Sequence, residues 1–218
     1  MYLSRLTLNP RSRQVQAELS NPYQMHRTLM AAFPPLLDDQ ERLLYRLETS
    51  HTAPYLVALV QSHLSPDWSI LEHKDYLLQP AQTKPFDPHF QVGQVLAFRL
   101  VANPTKRLGS ALKDVPGKRV SLYRLEQQED WLKRKALQHG FALLDLQVAS
   151  LSDQYAYKNE KDKDKDHNQS MKITHHGVRF DGLLRIEDAV PFAAALASGI
   201  GSAKGFGFGL LSLARPVL

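Results

Sequence analysis

Three prolines in the nine residues from Pro80 to Pro88 divide the 218-residue chain into two stretches, each long enough to bury a core of its own. Proline removes a backbone donor and fixes φ, so a run like this reads as a linker. The elements on either side come in a similar order. Before it, Met1 to Leu8 alternates apolar and polar residues as a strand does, and Asn21-Pro22 is a cap and first-turn pair opening a helix through about Phe33, where Pro34-Pro35 stops it. Strand-like runs follow at Arg42 to Thr49 and Pro54 to Gln61, with a weaker one at Trp68 to Gln79. After the prolines, Val92 to Ala102 is a strand, Glu126 to His139 an amphipathic helix ended by Gly140, and Phe141 to Leu151 a strand. Met171 to Arg185 reads as another strand, Glu187 to Ser198 as a helix and Phe206 to Leu213 as the last strand.

Both halves approximate β-α-β-β-α-β, with the second helix of the first half short or missing. That order predicts an α+β protein of two tandem ferredoxin-like (RRM-like) domains, residues 1–88 and 89–218. Such sheets are recurrent RNA-binding platforms. They also host many unrelated activities, so function has to be argued from particular residues.

A formal net charge of +5, with nine further histidines, suits a polyanionic partner such as nucleic acid. The absence of cysteine removes disulfides, zinc ribbons and thiolate catalysis, and fits a reducing compartment. The alternating N-terminus reads as a strand rather than a signal peptide, and no apolar run approaches the roughly 18 residues of a membrane span. A cytoplasmic protein without a membrane partner is the expectation.

Five glycines fall between Gly199 and Gly209, in the order Gly-Ile-Gly-Ser-Ala-Lys-Gly-Phe-Gly-Phe-Gly. Glycine lets a backbone approach a ligand and tolerates positive φ, so successive amides there are able to face a phosphate. The segment is not a Walker loop, since no Lys-Ser or Lys-Thr pair follows its glycines. It is not the dinucleotide fingerprint either, whose third glycine would fall at Lys204. Both motifs lead from strand to helix, whereas this segment leaves a helix for a strand. A helix cap with a bent edge strand is the plain alternative, but five glycines exceed what a cap needs.

On the first helix Tyr23 and His26 are three residues apart and share a face, with Arg27 beside them. RNA is cut by its own 2′-hydroxyl when one group takes that proton and another protonates the leaving 5′-oxygen, and histidine suits both steps near neutral pH. By spacing alone a helical histidine is more often a surface or packing residue than a catalyst. Asp162, Asp164 and Asp166 alternate with Lys161, Lys163 and Lys165, which reads as a solvated hairpin tip rather than a metal site. His175 and His176 are adjacent and on a strand would point to opposite faces. Lys133-Arg134-Lys135, with Lys113, Lys118 and Arg119 upstream, offers either a basic track for RNA or an ordinary solvated face.

The run Asn21-Pro22-Tyr23-Gln24-Met25-His26, the stretch from Phe98 to Lys106 and the Gly199 to Gly209 segment, in this order, closely resemble the CasE family, the CRISPR precursor-RNA endoribonucleases of type I-E systems. The resemblance runs from the first strand to the last. It implies recognition of a CRISPR repeat stem-loop and cleavage at the 3′ base of the stem by 2′-hydroxyl attack, without metal or cofactor. The products would carry a 5′-hydroxyl and a 2′,3′-cyclic phosphate, and the protein would stay on the mature guide RNA with the other subunits of the Cascade complex. It assigns His26 as general acid or base with Tyr23 beside it. RNA contacts are then expected from Arg27, from Gly199, Gly201, Ser202, Lys204, Gly205 and Gly207, and from Lys158, Lys161 and Lys172 in a β-hairpin between about Tyr155 and His175. Two other readings stay open: a non-catalytic RNA-binding subunit in which His26 only touches phosphate, and a small-molecule enzyme on the same sheet type.

Overall fold

The structure, a computed structural model, describes residues 1–34, 43–49, 55–72, 75–109, 117–151, 153–159 and 170–216. In chain order the elements are β1 (Tyr2–Thr7), α1 (Arg13–Leu19), α2 (Pro22–Met30), β2 (Leu44–Thr49), β3 (Leu56–Ser62), α3 (Ser69–Glu72), β4 (Gln82–Pro85), β5 (Val95–Ala102), β6 (Thr105–Arg107) and β7 (Arg119–Ser121). They continue with α4 (Leu125–Gln138), β8 (Phe141–Ser150), β9 (Gln154–Asn159), β10 (Ser170–His175), β11 (Val178–Ile186), α5 (Ala189–Ser198), a 3₁₀ turn at Lys204–Phe206 and β12 (Leu211–Ala214). Two compact units result. The first holds Met1–Phe86, Asp153–His175 and Gly205–Gly207; the second holds Asp87–Ser152, His176–Lys204 and Phe208–Leu218.

Each unit carries a four-stranded antiparallel sheet, ordered β2-β3-β1-β4 in the first and β12-β5-β11-β8 in the second. In both, the first and third strands of the unit lie at the centre with the second and fourth at the edges. This is the ferredoxin-like order, and the fold is α+β as expected.

In the first unit, alternate residues of the central strands meet the helices: Leu6, Leu8, Ala58 and Val60 pack with Met25, Leu29, Tyr45, Trp68, Leu71 and Tyr76. Burying an apolar side chain of this size contributes about 1.5–3 kcal/mol. In the second, α4 turns Trp131, Leu132 and Ala136 inward at helical spacing, and Trp131 stacks on Phe180 at 6.0 Å. The α5 helix buries Phe192, Ala195 and Leu196, and Asp188 caps its first turn by accepting the Val190 amide at 3.0 Å.

Several expectations need correcting. The first strand does not run directly to Asn21. Instead α1 intervenes, with only Val15 and Glu18 buried, too few apolar residues to show a period. The α2 helix ends at Met30 rather than near Phe33. In the weak strand expected at Trp68 to Gln79, the described residues form the short helix α3, and Leu77 makes only an isolated bridge to Leu8. Asp67 starts the helix by accepting the Ser69 amide at 3.1 Å, and the Trp68 indole donates to Ser4 at 3.0 Å.

The proline-rich stretch is not all linker. Within it β4 pairs with β1, Pro85 opposite Tyr2, and an edge strand tolerates a missing N–H. Met171 to Arg185 is two strands rather than one: β10 pairs with β9, while β11 enters the second sheet. The last strand starts at Leu211, because the residues from Lys204 to Phe206 form a 3₁₀ turn.

Candidate active site

Polar and aromatic side chains hold α2, which carries Tyr23, His26 and Arg27, within the first unit. Pro22 occupies its first turn, where a missing N–H costs nothing. Met25 and Leu29 are buried four residues apart. The Tyr45 hydroxyl, from β2, donates to the Pro22 carbonyl at 2.8 Å. Further along, Thr28 donates to the Glu18 carboxylate at 2.5 Å, and the same carboxylate accepts from Gln14 at 2.9 Å and from Tyr76 at 2.5 Å. A buried carboxylate is costly unless donors surround it, and this one has three.

His26 lies between these two attachments and is half-buried. Its Nδ1 is buried without a hydrogen-bond partner among the described residues. The ring lies 6.4 Å from that of Tyr45, the planes inclined by 23°. Burial holds its pKa below the ordinary 6.5, so the imidazole is neutral at pH 7. A neutral imidazole is ready to accept a proton.

Gly205, Phe206 and Gly207 complete this neighbourhood. A Cβ at Gly205 would stand 3.5 Å from His26 Cδ2 and 3.7 Å from Nε2, so the backbone there runs past the imidazole at close range. The Phe206 ring lies 6.0 Å from Tyr23 and 4.6 Å from His175. Tyr23 itself is 41% exposed. Arg27 is exposed. Burial also lowers the pKa of His175. Tyr23 and His26 of α2 therefore stand beside Phe206 and Gly205, from the far end of the chain.

The other glycine-rich residues belong to the second unit. Gly199 ends α5 with φ 74°. Gly201 faces Trp131, whose ring a Cβ would approach to 3.2 Å. Ser202 bridges to Asn103, and the Lys204 ammonium donates to the Ser198 carbonyl at 2.6 Å, where a cation opposes the helix dipole. Part of the segment's glycine content is thus set by close packing.

The β9 and β10 strands form an antiparallel hairpin that runs beside α2, with Lys158 opposite Met171 and Lys172 opposite Tyr157. Lys161, the other basic and acidic residues at 162–168, and Lys113 lie outside the described residues. Lys133 on α4 stands 3.8 Å from both Glu129 and Asp130. His175 closes β10. His176, in the other unit, is buried against Tyr123 and Gln128.

A family model described as "CRISPR associated protein" matches residues 1–215. The chain belongs to this family. It is 38% identical to the CRISPR-associated endoribonuclease Cse3 of Thermus thermophilus, over 98% of this chain and 100% of the relative. It is 32% identical to the CRISPR system Cascade subunit CasE of Escherichia coli, over 98% and 99% of the two chains. A solved structure of CRISPR endoribonuclease Cse3 bound to a 19-nucleotide RNA superposes with a TM-score of 0.82 at 38% identity, over 99% of this chain and 100% of that one.

Reading the sequence missed Tyr45, Glu18 and Phe206 as parts of this neighbourhood. Tyr45 is an ordinary strand aromatic in sequence, and Glu18 sits in a helix with no apolar period. Phe206 lies in the glycine-rich segment, where the glycines and Lys204 draw attention to phosphate contacts and not to an aromatic ring.

Proposed function

We propose that this member of the family is an endoribonuclease that binds CRISPR repeat stem-loops and cuts at the 3′ base of the stem without a metal ion. The observation that carries the reading is half-buried His26, on the same face of α2 as Tyr23 and against the Gly205 backbone, where burial holds its pKa down. With Nδ1 buried, Nε2 is the ring atom that meets the substrate. His26 takes the proton of the 2′-hydroxyl or delivers one to the leaving 5′-oxygen, and Tyr23 assists from the same helix face. Attack of the 2′-oxygen on the adjacent phosphorus breaks the bond to the 5′-oxygen, leaving a 2′,3′-cyclic phosphate and a 5′-hydroxyl.

Arg27, the backbone of Gly199, Gly201, Ser202, Gly205 and Gly207, Lys204, Lys158 and Lys172 of the hairpin, and Lys161 contact the RNA. The protein keeps hold of the mature guide RNA and joins the other Cascade subunits in the cytoplasm. The relationship to an endoribonuclease and to a Cascade subunit, each at more than 30% identity across nearly the whole chain, supports this assignment.

The test is incubation of the purified protein in EDTA with a labelled hairpin from a type I-E repeat, alongside His26→Ala. A single cut at the stem base, lost in the variant while binding persists, is expected. Binding without a cut on a cognate repeat would mean an RNA-binding subunit only. Undiminished cleavage by the variant would remove His26 from the chemistry.

A further inference from the structure

We propose that Tyr45 is a positioning residue for RNA cleavage, its hydroxyl fixing the first turn of α2 so that Tyr23 and His26 are held in reactive register. The inference rests on the assignment of His26 to the reaction and concerns a residue that never touches the RNA.

The geometry supports a role more specific than filling the core. Tyr45 is 1% exposed and stands in β2, paired with Val60 of β3 inside the four-stranded sheet. Its hydroxyl donates to the carbonyl of Pro22 at 2.8 Å. The i to i−4 pattern of an α-helix pairs that same carbonyl with the backbone amide of His26. The tyrosine hydroxyl and the histidine amide therefore converge on one oxygen atom, one turn before the catalytic side chain. The phenol ring lies beside the imidazole, 6.4 Å away and nearly parallel, which limits how far the histidine ring can swing.

Gly207 tightens the arrangement from another side. A Cβ there would stand 3.2 Å from Tyr45 Cε2, so the glycine-rich segment closes directly on the phenol ring. Tyr45 thus touches both the helix that bears His26 and the segment whose Gly205 backbone borders His26. A sheet residue that touches both a helix and a loop is suited to hold a reacting group within about 0.5 Å of its productive geometry, where small displacements cost large factors in rate.

Phenylalanine fills the same volume without the hydroxyl, which makes Tyr45→Phe the discriminating variant. Single-turnover cleavage of the repeat hairpin at saturating protein, and binding of a 2′-deoxy version that cannot be cut, are measured for wild type, Tyr45→Phe, Leu71→Ala and His26→Ala. Leu71, on α3, is buried in the same unit and serves as a control for general loss of stability. Tyr45→Phe is expected to slow cleavage roughly tenfold or more while leaving the Kd within about twofold, a pattern that Leu71→Ala does not show.

Wild-type cleavage by Tyr45→Phe, or a rate loss matched by Leu71→Ala, would overturn the positioning role. If in those cases His26→Ala is inactive, the assignment of His26 stands and only the inference about Tyr45 fails. If His26→Ala cleaves normally, that assignment fails, and the inference falls with it whatever Tyr45→Phe does.

Discussion

The carboxylate of Glu18 accepts the hydroxyl of Tyr76 at 2.5 Å, joining residues 58 positions apart. The bond ties α1 to the turn that precedes β4, and through Thr28 the same carboxylate grips α2. Replacing Tyr76 by phenylalanine keeps the buried ring but removes one of the three donors around the carboxylate. We expect Tyr76→Phe to lower stability by about 1–3 kcal/mol, read as a shift of the urea unfolding midpoint at unchanged slope.

Tyr45 and Tyr76 together predict an alkaline limit. Burial, reinforced by Glu18, raises both phenols above the ordinary value of 10. The unfolded chain releases these protons from about pH 10 upward, whereas the folded chain retains them. Their contribution is therefore complete below pH 10 and declines as the pH rises beyond it. Ultraviolet titration of tyrosinate should show Tyr45 and Tyr76 ionising only as the protein unfolds. Ionisation of these two while the circular dichroism stays native would contradict this.

On the acid side the histidines set the sign. Burial is the largest cause lowering the pKa of His26, His139 and His175. Below about pH 6.5 the unfolded chain takes up protons that the folded chain resists, so this part of the stability is complete above 6.5 and falls away as the pH drops through the lower folded values. Proton NMR of the imidazole Cε1–H signals should place the His26 midpoint below 6.5. An unshifted or raised midpoint would remove the neutral-imidazole argument.

Gly207 has φ +84°, in the left-handed region, as well as its close approach to Tyr45. An added Cβ meets both obstacles, strain of about 1–3 kcal/mol and a ring that must yield. Gly207→Ala should therefore lower both the melting temperature and the cleavage rate. Full activity and unchanged melting would show that the segment relaxes more easily than its packing suggests.

Much of the fold was legible because strands and helices announce themselves by period. The alternation in Val92 to Ala102 and the helical spacing of Trp131, Leu132 and Ala136 are local, and both elements form there, the strand beginning only at Val95. Elements whose stability comes from elsewhere were not legible. α1 is polar apart from Val15, α3 has four residues, and β4 contains a proline that only an edge position excuses. The break between His175 and Val178 was hidden because two strands with similar alternation follow one another closely, and periodicity does not record which sheet each one joins.

The candidate site divides along the same line. By itself the sequence determined that Tyr23 and His26 share a helix face, that a glycine-rich segment follows the last helix, and that these motifs resemble one family, since each depends on residues close in the chain. Only the tertiary structure decided that Gly205 borders His26, that Phe206 lies near both Tyr23 and His175, and that the Tyr45 hydroxyl meets the Pro22 carbonyl. Those contacts are made between distant segments by burial and directional hydrogen bonds, and burial, which also keeps the imidazole neutral, is a property of the packed molecule that no local pattern of residues encodes.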